Sequence, residues 1–285
     1  MPISGKTRVV GVWGYPVKHS LSPIMHNAAL GALGLDWIYV PFSVDPGKIN
    51  SAVESIRALD LVGVNVTVPL KELIAPLLDA VDPVAAGINS VNTIVNKDGI
   101  LTGYSTDGPG LLWDVADKGA LPSPGSPVLV LGAGGSARSV IYSLAKKGFA
   151  VTVANRTRDR AVRMVREIGV DSVVVEWTAE SLRSAAERCS LVINTSALGM
   201  DDQNAEDLKV FASGFVGTGN TLYDLVYSPP ETGLMKLARK AGATAYNGLG
   251  MLVRQGALSL HYWTGLEIEK LPVSKMESAL AEHLR

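Results

Sequence analysis

The stretch that most limits what this chain can become is Gly132-Ala133-Gly134-Gly135-Ser136-Ala137, because of what flanks it. Residues 128–131 form a short apolar run of strand character. After the glycines, Val140, Ile141, Leu144 and Ala145 recur at helical spacing until Gly148. Glycines in the pattern G-x-G-x-x-G/A allow a tight turn and close approach of a ligand to the backbone. The helix that follows aims its first N–H groups at a pyrophosphate. Strand, glycine turn and helix in that order predict a dinucleotide-binding unit. The next expected strand, Ala150–Ala154, runs into Asn155-Arg156-Thr157-Arg158-Asp159-Arg160. Units that prefer NAD usually carry an acid about 20 residues after the glycines, on the ribose hydroxyl. Here Asn155 and Arg156 hold that place. A guanidinium stacks on adenine and pairs with a phosphate, and the Thr157 hydroxyl can bond the same phosphate, so NADP is favoured over NAD. Asp159 is flanked by arginines and is placed inside the following helix.

The rest of the chain alternates in the same way. Strands are expected at 8–13, 37–44 and 61–68, with helices from Ser22 to Gly34, at 46–59 and at 70–80. Residues 90–96 and 100–105 flank Lys97-Asp98-Gly99, a hairpin signal. Beyond the dinucleotide motif, strands at 173–175, Leu191–Asn194, 221–225 and 243–246 alternate with helices at 179–188 and 234–239, and a long helix opens at Asn247-Gly248-Leu249-Gly250. This pattern predicts an α/β protein of two domains: an N-terminal, mainly parallel α/β sandwich for substrate, and a Rossmann-type NADP-binding domain. The turn-rich 121–127 segment marks the join, and the last long helix is expected to return to the first domain. The substrate domain is then discontinuous, 1–107 plus 248–285, around a nucleotide domain of 108–247.

Composition narrows the function class. A formal net charge of −1 gives no support for nucleic-acid or membrane-surface binding. One cysteine excludes an intrachain disulfide, and Cys189, beside an apolar stretch, reads as a core residue. No apolar run approaches the ~18 residues of a membrane span, and no secretory leader is recognisable, so a cytoplasmic protein is expected. Four histidines with a single cysteine show no zinc pattern, and no metal site is expected. His19 and His26 stand beside no nucleophile and read as structural or solvent-facing. The acidic segment 201–207 reads as solvated surface.

The first half carries the remaining chemistry. In Asn65-Val66-Thr67-Val68-Pro69-Leu70-Lys71, Pro69 ends a strand because it cannot donate to a ladder. Asn65, Thr67 and Lys71 then gather at the strand's exit, where an ammonium can stand over a ligand. Asp107, in Thr106-Asp107-Gly108, is the candidate anion to orient it, and it also suits a helix start. In Ser20-Leu21-Ser22-Pro23, Ser22 suits an N-cap and Pro23 the first helical position. Two hydroxyls at a helix start either cap it or hold a carboxylate.

Taken together these motifs resemble the shikimate/quinate dehydrogenase family over essentially the whole chain. Val91-Asn92-Thr93, Asn194-Thr195-Ser196 with Gly199-Met200, Tyr223-Asp224-Leu225-Val226-Tyr227 and the 247–252 segment with Gln255 complete the match. The resemblance implies reversible reduction of 3-dehydroshikimate by NADPH in aromatic amino acid biosynthesis, the chorismate pathway. It implies that Ser20 and Ser22 hold the substrate carboxylate. Asn65, Lys71, Asn92, Asp107 and Gln255 would bind ring hydroxyls, and Thr67 and Tyr227 would complete the pocket. Lys71 and Asp107 would form the proton-transfer pair. Residues 132–137 (Gly132, Ala133, Gly134, Gly135, Ser136, Ala137), Asn155, Arg156, Thr157, Arg160, Leu225 and Gly248 would line the cofactor, with NAD a weaker alternative. The partner is a small cyclohexene or cyclohexane carboxylic acid, and a monomer or homodimer is expected. The chain departs from the family at Asn89-Ser90, where Gly-Ala is common, at Ser105, where asparagine is usual, and at Ser228, where asparagine precedes proline. The first two flank substrate segments, so a quinate or aminoshikimate dehydrogenase is an alternative, as is a metabolite-binding protein without turnover.

Overall fold

The computed structural model of the chain describes residues 2–199, 208, 210–211, 217 and 219–285. It divides into two compact units, Met1–Gly110 with Leu252–Arg285, and Leu111–Met251. Met200 and the acidic segment 201–207 lie outside the described residues.

The first unit runs β1 (Arg8–Gly14), α1 (Ser22–Ala32), β2 (Trp37–Ser43), α2 (Ile49–Ala58), β3 (Gly63–Val66), β4 (Ala80–Val81), α3 (Pro83–Gly87), β5 (Thr93–Lys97) and β6 (Ile100–Tyr104). Helix α4 (Asp107–Asp117) then leads out of it. The strands form one sheet in the order β2-β1-β3-β5-β6-β4. β1 pairs in parallel with both β2 and β3, and β4 with β6, while β5 runs antiparallel to β3 and β6. β1 is continuously apolar from Val9 to Trp13 because both of its edges are paired and its inner residues are buried. The β5–β6 turn puts Asp98 at φ 54° and Gly99 at φ 84°, the left-handed pair that a two-residue hairpin requires. Trp13, Ile56, Val64, Leu70, Ile74 and Ile94 belong to this unit's core.

Two expectations fail in this unit. The strand expected at 61–68 is shorter, with β3 running from Gly63 to Val66, and the chain leaves it before a cis Val68–Pro69 bond. The helix expected at 70–80 does not form. Leu70, Leu73 and Leu77 donate to carbonyls three residues back, so turns and one 3-10 segment (Ala75–Leu77) replace it. Pro76 lacks the N–H that a regular helix would use, and the tighter turns avoid that need.

In the second unit β7 (Pro127–Leu131), α5 (Gly135–Lys146), β8 (Ala150–Ala154), α6 (Arg158–Ile168), β9 (Ser172–Val175), α7 (Ala179–Ala186), β10 (Leu191–Asn194), β11 (Thr221–Asp224), α8 (Gly233–Lys240) and β12 (Thr244–Tyr246) alternate. Every strand pair is parallel, in the order β12-β11-β10-β7-β8-β9. From β7 the chain builds outward through β8 to β9, then crosses to β10 on the other side. The strand order therefore reverses between β7 and β10, where ligands of such sheets bind beyond the carboxyl ends. Cys189 lies in this core, and burial pushes its thiol up to about 11, so it stays a small apolar residue.

α9 (Leu249–Thr264) begins in the second unit and continues into the first, which α10 (Val273–His283) completes by packing on α1. Among the described residues no helix is long and apolar enough to cross a membrane.

Candidate active site

The short β3 and the turns after it set the first half of the site. Thr67 donates its backbone N–H to Trp13, which carries the chain past the end of β1, and the Lys71 carbonyl accepts from Val91. Lys71 is thus held by its own backbone against the segment that presents Asn92. Its Nζ lies 2.5 Å from Asp107 Oδ2, with the two side chains only 11% and 5% exposed. Asp107 opens α4, where the helix dipole favours a carboxylate. Asn92 Nδ2 reaches Asp107 Oδ1 at 2.9 Å, Thr106 Oγ1 at 2.8 Å and Gln255 Oε1 at 3.1 Å. Its Oδ1 accepts from the Thr106 N–H at 2.8 Å. Both oxygens of Asp107 are therefore engaged, one by the ammonium and one by an amide. Gln255 stands on α9, and a Cβ on Gly110 would come within 2.7–2.8 Å of it, so a glycine there lets the two helices meet.

Asn65 belongs to the same network. Its Nδ2 donates towards the Asn92 carbonyl (3.1 Å), Thr93 Oγ1 (3.1 Å) and Ser259 Oγ (2.8 Å), and its Oδ1 accepts from Tyr39 Oη (2.8 Å). Ser20 and Ser22 stand together at the start of α1, where the Ser22 N–H meets Ser20 Oγ at 3.3 Å. The expected N-cap role of Ser22 does not hold. Leu21 takes the cap position and its carbonyl closes the first turn with Ile24 and Met25, so Ser22 enters the helix and no side chain caps it. His26 is fully buried, stacked on Tyr39 at 4.2 Å, with neither ring nitrogen hydrogen-bonded. Burial lowers its pKa to about 3, which leaves it neutral and takes it out of acid–base work near neutrality. His19 is exposed.

The second half is built on the carboxyl ends of the second sheet. Gly132 has φ 118°, and a Cβ there would stand 2.4 Å from Thr195 Oγ1. Gly134 precedes α5 and has open space where a Cβ would go, leaving the helix N-terminus approachable. Ala133 and Ala137 are buried, and Gly135 and Ser136 form the first turn of α5. After β8, Asn155 Nδ2 bonds the Thr157 carbonyl at 2.8 Å, and Arg156, Thr157 and Arg160 are exposed at the start of α6. The Thr157 hydroxyl does not cap that helix, and Asp159 lies in its exposed first turn. Gly248 meets Leu225, where a Cβ would fall 2.1 Å from the Leu225 carbonyl oxygen. Tyr227 is half-buried on the loop after β11. A cavity of about 120 Å³ is lined by Gly132, Asn155, Arg156 and Trp177 together with residues 196–198. An open glycine turn at a helix N-terminus, a nearby cavity and two exposed arginines fit a phosphorylated dinucleotide. Among the described residues no group of three or more His, Cys, Asp or Glu could hold a metal ion.

Three family models match: the shikimate dehydrogenase substrate binding domain over residues 12–94, the shikimate/quinate 5-dehydrogenase over 114–199 and the shikimate 5′-dehydrogenase C-terminal domain over 248–280. The shikimate dehydrogenase (NADP(+)) of Geobacter metallireducens is 43% identical over 274 residues, 94% of each chain. The chain belongs to the shikimate/quinate dehydrogenase family. Among solved structures, a shikimate dehydrogenase in complex with NADP+ superposes with a TM-score of 0.88 at 34% identity, covering 100% of this chain and 98% of that one. The Thermus thermophilus shikimate 5-dehydrogenase in complex with NADP(H) and shikimate gives 0.85 at 36%, covering 96% and 99%.

This family member also pairs two motif residues to which the sequence assigned no role. Asn194 ends β10 and Asp224 ends β11, both with no exposure. Asn194 Nδ2 donates to Asp224 Oδ1 (2.9 Å), while its Oδ1 takes the Ser196 N–H and hydroxyl. Asp224 also accepts from the Val226 N–H and the Thr232 hydroxyl. Burial still pushes its carboxyl up to about 6 against those bonds. The pair thus joins the loop that lines the cavity to the segment carrying Leu225 and Tyr227. A polar residue closing an apolar strand run was the available signal. Trp177 carried none.

Proposed function

We propose that this chain is an NADP-dependent oxidoreductase acting on a CH–OH group, which interconverts 3-dehydroshikimate and shikimate. The observation that carries the reading is the buried Lys71–Asp107 pair at 2.5 Å, held by Asn92, in a chain whose second unit presents a dinucleotide turn followed by arginines. Relatives at 43% identity over nearly the full length carry the same activity in their names and support it.

NADPH, when bound, supplies the hydride that adds to the ring carbonyl carbon. The chain's part is the proton. As the carbonyl oxygen gains negative charge, the Lys71 ammonium donates a hydrogen bond and then the proton, giving the hydroxyl and a neutral amine that solvent reprotonates. In the oxidising direction the neutral amine takes that proton back. Asp107 accepts one Lys71 N–H and so orients the ammonium, while Asn92 fixes Asp107. Asn65, Thr67, Asn92, Gln255 and Tyr227 are assigned to the ring hydroxyls, and Ser20 and Ser22 to the carboxylate at the start of α1. On the cofactor side, residues 132–137 would cradle the pyrophosphate. Asn155, Arg156, Thr157 and Arg160 would read the ribose phosphate, and Leu225 and Gly248 would hold the nicotinamide half.

Initial rates of nicotinamide reduction with shikimate and quinate, each with NADP and NAD, test the reading. Fast reduction by shikimate with NADP is the expected result. A preference for quinate would reassign the substrate and point to the variant segment at Asn89 and Ser90. No reaction in any combination would refute the shikimate assignment and leave an aminoshikimate dehydrogenase, and after it a metabolite-binding protein without turnover.

A further inference from the structure

Trp177 follows β9, and no glycine or charge pattern leads to it. Trp177 nevertheless lines the cavity that also takes in Gly132, Asn155, Arg156 and residues 196–198. The sheet order says which half of a dinucleotide this cavity faces. β7, β8 and β9 form one mononucleotide-binding half, beginning with the glycine turn, and β10, β11 and β12 form the other. Leu225 and Gly248 belong to the second half, whereas Arg156 and Trp177 follow β8 and β9 in the first. The cavity is closed by residues 196–198 after β10, while its Gly132, Asn155, Arg156 and Trp177 walls follow β7, β8 and β9, which puts those walls on the adenosine side.

The indole is packed there on its core side. Phe211 meets it edge to face at 5.4 Å and 80°, and the ring packs against the core of this unit. Its Nε1 is buried without a hydrogen-bond partner. Leaving a buried donor unpaired is unfavourable, and an apolar side chain of similar size would fill the core side without that cost. What tryptophan adds over leucine is a broad π system, and an aromatic residue lining a cavity beside a guanidinium makes a place for a purine.

We propose that Trp177 is a cofactor-binding residue that forms one wall of the adenine slot, with the Arg156 guanidinium as another. This rests on the NADP reading above. The slot recognises the base by stacking, so it accepts the adenosine half of the dinucleotide and ignores the nicotinamide half.

The test uses the full-length protein with two fragments as probes: 2′,5′-ADP for the adenosine half and nicotinamide mononucleotide for the other. Stacking on an aromatic side chain is typically worth ~10-fold or more in affinity. Trp177→Leu should therefore weaken 2′,5′-ADP and NADP about 10-fold, and Trp177→Phe should restore most of the loss. The turnover number at saturating NADP and the KM for shikimate should stay within about 2-fold, the split that separates binding from chemistry. In the unaltered protein, 2′,5′-ADP should change tryptophan emission and nicotinamide mononucleotide should not, and Trp177→Phe should abolish the change. That measurement needs no destabilised variant. Equal 2′,5′-ADP affinity for Trp177→Leu and the unaltered protein would overturn the proposal, as would a Trp177→Phe variant as weak as Trp177→Leu. If the unaltered protein fails to bind 2′,5′-ADP at all, the NADP reading itself falls and the adenine slot with it.

Discussion

At the scale of single residues, Lys71 is assigned the most chemistry. Its ammonium sits on Asp107 Oδ2 and can move a proton to a ring oxygen, whereas Asn92, on Oδ1, can only orient. Lys71→Ala should lower turnover ~10²–10⁴-fold with a smaller change in shikimate affinity. Near-normal turnover would remove Lys71 from the mechanism. Two other buried groups tie stability to pH in opposite senses. His26 falls from 6.5 to about 3 on burial. Below its unfolded value the unfolded chain takes a proton that the folded one refuses, so its contribution is lost as pH drops from 6.5 towards 3. Asp224 rises from 3.8 to about 6. There the folded state keeps the proton more firmly, so the contribution is fully present below 3.8 and lost as pH rises through about 6. Between about pH 5 and pH 7 the first favours the higher pH by about 2 kcal/mol and the second opposes it by about 1 kcal/mol. Urea midpoints across this range should therefore rise only slightly in the native protein. They should rise more steeply in Asp224→Asn and fall with pH in His26→Leu. Parallel curves for all three proteins would mean that neither group titrates as its burial requires.

At the scale of elements, the turn from β7 into α5 separates two jobs of glycine. Gly132 is needed by the fold, since its φ of 118° is unfavourable for other residues and its Cβ would strike Thr195. Gly134 has an ordinary φ of −103° and empty space around it, so nothing in the fold requires a glycine. Gly132→Ala should lower the thermal midpoint. Gly134→Ala should leave it unchanged or slightly raised, yet weaken NADP, because the methyl occupies the approach to the helix N-terminus. A Gly134→Ala protein that titrates with NADP like the native one would show that the space is not used. The same turn explains how far the sequence could be read. Strand, glycines and helix are all local there, and the elements fall where the pattern places them. Residues 70–80 deceive because Leu70, Leu73, Ile74 and Leu77 have helical spacing, while Pro76 and the three-residue bonds that produce the turns leave no trace in hydrophobicity. α10 is missed for a different reason, since its packing against α1 joins the two ends of the chain. In the site, Lys71 and Asp107 were legible as residue types at a strand exit and a helix start. The Asn194–Asp224 pair was not, because only the parallel pairing of β10 with β11 brings the two strand ends together.

At the scale of the whole molecule, each unit has its own sheet and its own core, and the assigned ligand residues divide between them. Core residues from Trp13 to Leu101 belong to the first unit, and those from Leu129 to Ala245 to the second. Every residue assigned to the cofactor lies in Leu111–Met251, and every residue assigned to the ring acid except Tyr227 lies in Met1–Gly110 or Leu252–Arg285. A ligand stabilises the folded state it binds by mass action, about 2.7 kcal/mol at 100 times its Kd. It slows amide exchange most in the cooperative elements it contacts. Hydrogen exchange on the full chain should therefore give two maps. NADP alone should protect β7, the first turns of α5 and α6, and the loop after β10. Shikimate alone should protect the start of α1, the segment from β3 to Lys71, and the start of α4. Arg156→Ala should diminish the NADP map while leaving the shikimate map intact, and should cost NADP more affinity than NAD, because only NADP carries the ribose phosphate that the guanidinium pairs with. If shikimate alone protects the second sheet instead, the ring acid binds elsewhere, and Lys71 and Asp107 lose their substrate. If Arg156→Ala weakens both cofactors equally, the guanidinium does not read the phosphate. The preference for NADP must then come from Thr157, Arg158 or Arg160, which are also exposed at the start of α6.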